Sequence, residues 1–246
     1  MSRRRGLAAK LIALLLVAAC LVTAAILGKG FLTAGRTIFD LLNENEQLRR
    51  AIGNLTAESV IGYARVLSQE ERAGRLVTRL QFVETARNDP TARVLERSYD
   101  IEGDIAHFDA LIVKFSNEYV MDGRARALYL WRRVYGETQA PSSGFPIEDM
   151  GAEPERYADL LEGLPLPDRE LFWSEIWKLS NDRDYLKEAG ITAIYGNVVY
   201  KQLKPGLMIV FKISDTGQIY PETLPDLSYV PAPTPRSTET GTGAVR

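Results

Sequence analysis

The chain has 246 residues, 46% hydrophobic and 25% charged, with 32 acidic against 30 basic side chains. This is globular composition, and with Cys20 and His107 the only residues of their kinds it excludes an intramolecular disulfide and any cysteine- or histidine-rich metal site. Residues 1–36 carry six basic and no acidic side chains, so the remainder holds 24 basic against 32 acidic ones, near −8. An acidic body excludes nucleic acid as a partner, because phosphate binding needs a basic face.

Residues 1–10 form a basic N-terminus containing Arg3, Arg4, Arg5 and Lys10, and residues 11–30 a transmembrane anchor. From Leu11 to Leu27, seventeen residues, Thr23 is the only clearly polar side chain. A helix of that length spans roughly 26 Å, near the lower limit for a hydrocarbon core of about 30 Å. The arginine cluster places the N-terminus in the cytoplasm and the body outside it, as a single-pass protein of the inner membrane. Two alternatives use the same residues. One is a cleavable secretory signal. The other is lipoprotein processing, since Val17-Ala18-Ala19-Cys20 resembles a lipobox with Cys20 as the lipidated residue. Leu21–Leu27 continue the apolar run past Cys20, which weighs against cleavage there. All three versions leave the body outside the cytoplasm.

Residues 37–55 have the pattern of an amphipathic, coiled-coil-like helix. Ile38, Leu41, Asn45, Leu48, Ile52 and Leu55 fall at heptad a/d spacing, a seam for a homodimer, with Asn45 as a register-setting polar position. Packing of one such helix on its own domain is the alternative. Gly53-Asn54 is the expected stop.

The body, residues 56–230, opens with strand patterns at Val60–Ser68, Arg75–Thr85, Arg93–Ile101 and Ala106–Phe115, separated by turn residues such as Gly74, Asn88 and Gly103. Leu111, Ile112 and Val113 are apolar on both faces, which predicts a covered, central strand. Arg124–Tyr135 fits helix or strand equally. A helical insertion follows: a short helix at Glu153–Glu162, and a stronger one after Pro167-Asp168 with the stripe Leu171, Phe172, Ile176 and Leu179. One or two further turns at Asp182–Ala189 end at Gly190. Strand patterns return at Ile191–Leu203 and Leu207–Ser214 around Lys204-Pro205-Gly206. Residues 231–246 are Pro/Thr-rich and polar, the composition of a disordered tail. The expected class is α+β: one antiparallel sheet or small open barrel with a helical insertion.

The densest polar constellation is Asp100, Glu102, Asp104, His107 and Asp109. His107 and Asp109, two apart on a strand, share one face, and a carboxylate set against an imidazole is a general-base arrangement. That makes His107, Asp109 and Asp104 the catalytic candidates for an envelope hydrolase; the plainer account makes them turn and strand residues. Trp173 and Trp177, one helical turn apart, are the binding candidates, as a glycan platform or partner hot spot, unless they are simply core. Neither a G-x-S-x-G elbow nor a P-loop occurs, and nothing points to a cofactor or metal.

The layout of span, short helix with Asn43-Glu44-Asn45-Glu46-Gln47-Leu48, then β-rich body is similar to bacterial cell-shape proteins of the MreC kind. The likeness covers residues 1–55. The helical stretch 124–190 departs from that family's body, and no functional residue transfers. The expected function is a non-enzymatic interaction or scaffold module anchored in the cell envelope, with an envelope protein as partner.

Overall fold

The computed structural model describes residues 14, 21–24, 40–149, 151, 153–157 and 168–228. The expectations for Cys20, Ile38 and the tail at 231–246 lie outside these residues, as does most of the span 11–30. Two compact units divide the chain, Met1–Ile52 and Gly53–Arg246. In the first, Leu14, Leu21 and Val22 are helical and exposed. Among the described residues no helix is long and apolar enough to cross a membrane. Helix α1 covers 40–56, three residues beyond the expected stop at Gly53. It turns Leu41, Leu48 and Ile52 outward, and a Glu46–Arg50 pair at 3.4 Å spans one turn of its surface.

The second unit is α+β, with nine strands among the described residues: β1 (Glu58–Arg72), β2 (Arg75–Ala86), β3 (Asp89–Glu102), β4 (Ile105–Phe115), β5 (Leu128–Gly136), β6 (Phe145–Pro146), β7 (Ile191–Gln202), β8 (Leu207–Ser214) and β9 (Ile219–Pro225). Local chemistry sets the hairpins. Ala73 and Gly74 both take positive φ (50° and 78°), the two-residue turn whose twist matches flanking antiparallel strands.

The strands form two antiparallel sheets, a correction to the single sheet or barrel expected from sequence. Their orders are β3-β2-β1-β8-β9 and β6-β5-β4-β7. The chain changes sheets at Gly103-Asp104, so β3 and β4, neighbours in sequence, do not pair. Alternation builds the core between them: Ile61 and Ala64 from β1, Leu80 and Phe82 from β2, Phe108 and Ile112 from β4, Trp131 from β5 and Phe211 from β8 are all buried there. Trp131 meets Phe82 and Phe211 edge-on, with centroids 5.2 and 5.0 Å apart.

Segment 124–135 resolves as strand from Leu128 onward. Its Tyr129 and Trp131 face the other sheet while Leu128 and Leu130 face the helices, so both sides are apolar and the period is hidden. The helices are α2 (Asn117–Met121), α3 (Arg169–Ser174), α4 (Ile176–Leu179) and α5 (Arg183–Glu188). Asp168 and Asp182 cap α3 and α5, each carboxylate accepting a backbone N–H three residues on, at 2.9 and 3.0 Å. Phe172, Trp173, Ile176 and Leu186 cover Leu111, Val113, Phe115 and Leu130 on the outer face of the four-stranded sheet. The expected stripe is out of phase at one position: Leu171 is exposed and Trp173 is buried in its place. The helix breaks at Glu175 (φ −117°), which rephases α4 against α3. Of the helix expected at Glu153–Glu162, only a 3-10 turn at Glu155–Tyr157 lies within the described residues.

Gly62 sits where β1 shifts register against β8, and a Cβ there would lie 2.5 Å from the Val83 carbonyl oxygen. Backbone cannot yield as a flexible side chain would. Gly62→Ala should therefore cost about 2 kcal/mol, measured by urea unfolding.

Candidate functional site

Among the described residues the helical layer packs on one end of the outer face of the four-stranded sheet. Strand alternation carries Leu111, Val113 and Phe115 under the helices and sets His107 and Asp109, on the same side of β4, beyond them. Across from them β5 bulges: Asp109 pairs with Arg133 and Ala110 with Trp131, leaving Arg132 as the extra residue. The bulge gives one carboxylate two consecutive guanidiniums. Arg132 donates to Asp109 Oδ1 through Nη2 (2.6 Å) and Nε (3.1 Å), and Arg133 Nε lies 3.4 Å from Oδ2. Asp109 is 3% exposed.

Arg132 then lies over Trp177 of α4, its Cζ 4.6 Å from the ring centroid. Gly196 of β7 makes room beneath: a Cβ there would be 3.1 Å from Arg132 Nη2. Arg132, Arg133, Trp177, Pro146 and Glu148 line an open groove of about 460 Å³. Further along the face, His107 is flanked by its cross-strand partners. Tyr135 stacks on it at 4.8 Å and 3°, and Tyr200 tilts over it at 5.7 Å and 31°. Tyr200 is 68% exposed and Val198, its neighbour on that face, 44%.

The residues picked from sequence divide accordingly. His107 and Asp109 share one face of β4; Arg132 links Asp109 to Trp177, while His107 packs between Tyr135 and Tyr200. The Asp109 hydrogen bonds go to Arg132, and His107 Nδ1 has no hydrogen-bond partner among the described residues. Asp104 lies in the β3–β4 turn and accepts from Gln202 Nε2 at 2.6 Å. Asp100 and Glu102 belong to the other sheet, where Arg72, Arg79 and Arg75 pair with them. Trp173 is buried, stacked on Tyr157 at 5.8 Å and 7°. Among the described residues no group of three or more His, Cys, Asp or Glu is placed to hold a metal.

A second polar assembly is hidden in the core. Glu84 follows Leu80 and Phe82 along the inward lane of β2, and it is fully buried. Arg156 Nε approaches Glu84 Oε1 to 3.1 Å without hydrogen-bond alignment, so charge more than direction joins the pair. The guanidinium is otherwise well bound. Both its terminal nitrogens donate to Glu148, each at 2.9 Å, and Nη2 donates also to the Tyr129 carbonyl at 2.8 Å. Tyr157 OH donates to that carbonyl too (2.8 Å) and accepts from Tyr129 N–H (2.9 Å). Burial pushes the Glu84 carboxyl up to about 7; Arg156 opposes the shift and Glu148 adds to it. The only sequence signal for this cluster is an acid in an apolar lane.

The face can stack and pair: it carries an indole on α4 and, on the strands, the exposed Tyr200 phenol, an imidazole and two guanidiniums. No family model, curated protein or solved structure matches the chain.

Proposed function

We propose that the chain is a non-enzymatic interaction module of the cell envelope, tethered by residues 11–30 in the inner membrane with its N-terminus cytoplasmic. The second unit presents the outer face of β4 and β7 around Tyr200 to an envelope protein. The observation that carries this reading is the exposure of Val198 and Tyr200 on the outer face of β7 and of Trp177 on the adjoining helix α4. Pairing of segment 37–55 through Ile38, Leu41, Asn45, Leu48, Ile52 and Leu55 makes the tethered form a homodimer; the exposed side chains of Leu41, Leu48 and Ile52 support it.

The test is a photo-crosslinking residue at position 200 of the full-length chain in its native membranes. An adduct of discrete mass is expected, reduced at least tenfold by Trp177→Ala. A full-length, uncleaved chain in the cytosolic fraction, or an adduct indifferent to Trp177, would overturn the proposal. The exposed indole also favours a second reading, glycan binding, which would show as saturable quenching of Trp177 emission by envelope oligosaccharides.

A further inference from the structure

The four edges of the two sheets are not alike. An unpaired strand edge offers a row of free N–H and C=O groups to any passing chain, and stable proteins blunt such edges. β3 is blunted by Pro90 and by the charges of Arg93, Glu96, Arg97 and Asp100. β6 is two residues long and contains Pro146. β9 carries Pro221 and Pro225. β7 has the least protection of the four. It is twelve residues long without a proline, its one charged residue is Lys201, and among the described residues it pairs with β4 alone.

The two sides of the sandwich differ in the same sense. Between β3 and β6 the gap is closed by Tyr99, whose ring lies 5.9 Å from Phe145 and whose hydroxyl donates to the Pro146 carbonyl at 3.2 Å. Between β7 and β9 there is no strand pairing among the described residues. A groove of about 640 Å³ runs there along the end of β7, lined by Val198, Val199, Tyr200, Lys201 and, across the gap, Pro221. Lys201 is the only charged residue in that lining, and among the described residues it has no ion-pair partner. A single cation in a slot whose other lining residues are uncharged, in a body that is acidic overall, selects for a carboxylate.

We propose that the free edge of β7 takes up an extended segment of a partner protein by strand addition, a segment of alternating apolar and polar residues with a carboxylate set against Lys201. The main chain supplies affinity through the unpaired N–H and C=O groups of β7, and Val198, Tyr200 and Lys201 supply selectivity. A second copy of β7 is the poorer occupant, because that strand contains no carboxylate to offer.

The test uses the full-length chain in nanodiscs and fluorescein-labelled heptapeptides alternating valine and threonine, with glutamate, glutamine or lysine at the centre. Anisotropy should show the glutamate peptide binding at least tenfold tighter than the lysine peptide, and Lys201→Glu should invert that order. N-methylation of alternate peptide amides should abolish binding, since it removes the edge hydrogen bonds and keeps the side chains. Equal binding of the methylated peptide, or a preference untouched by Lys201→Glu, would overturn the inference. So would disulfide capture of two Val198→Cys chains without peptide binding, which would make the occupant a second copy. The inference rests on the domain being an interaction module. A chain that cross-links through position 200 in the envelope but ignores every peptide would defeat strand addition alone.

Discussion

Arg156→Met should be among the most destabilising single substitutions in the second unit, costing about 3–5 kcal/mol in urea unfolding. Arg156 is 13% exposed in its side chain, Glu84 1% and Glu148 10%. Removing the guanidinium leaves two carboxylates facing each other in the core, and strips a donor from the Tyr129 carbonyl. Methionine keeps most of the volume, so the loss measures charge compensation more than a cavity. Glu84 adds a pH signature. Its carboxyl stands near 7 in the folded protein against an ordinary 4.5, so the folded state keeps a proton that the unfolded chain has released. Stability from this group is therefore highest below about pH 4.5, falls as pH rises toward 7, and levels off above it, a change of about 3 kcal/mol at most. Comparing wild type with Glu84→Gln across pH 4.5–7.5 isolates this slope, because glutamine does not titrate. A flat difference would show that Glu84 is ionised throughout and held by Arg156. In Arg156→Met the fall should continue past pH 7, since the charge that opposes the shift is gone while burial and Glu148 still raise the carboxyl.

How much of this was legible before the structure depends on the range of the interactions involved. β1 to β4, β7 and β8 announce themselves through alternation and through Gly74, Asn88, Gly103 and Gly206, all of them local signals. β5 does not, because Leu128, Tyr129, Leu130 and Trp131 are apolar on both faces. The division into two sheets is also invisible locally: nothing at Gly103-Asp104 says that β4 will turn away from β3 and pair with β5 and β7. Among the site residues, the two-residue spacing of His107 and Asp109 was enough to put them on one face. The bulge that gives Asp109 to Arg132 and Arg133 depends on β5 register, which no local pattern encodes. The four-residue spacing of Trp173 and Trp177 suggested equivalent positions, but the break at Glu175 buries the first and exposes the second. Glu84 and Arg156 come from distant parts of the chain, and only the fold brings them together.

Asp109→Ala should show whether the open face is organised by that one carboxylate. Asp109 has 4% side-chain exposure beneath Arg132 (17%) and Arg133 (31%), so its removal leaves two half-shielded cations without an anion. Water reaches both guanidiniums, which keeps the expected stability loss to about 2–3 kcal/mol, below that of Arg156→Met. The larger effect should be local. Nε and Nη2 of Arg132 are both fixed by Asp109 Oδ1, and that fixes the plane of the guanidinium over Trp177. Freed from it, Arg132 has no reason to stay on the ring. Trp131 and Trp173 are buried, so a changed and red-shifted emission together with easier iodide quenching reports Trp177 alone. Asp109→Asn, which keeps the shape and one acceptor oxygen, should fall between the two. Asp109→Ala combined with Arg132→Met should recover part of the stability, because a thioether on an indole needs no counter-ion. If Trp177 emission is unmoved by Asp109→Ala, the arginine is positioned by the ring and Gly196, and the carboxylate is only its counter-charge.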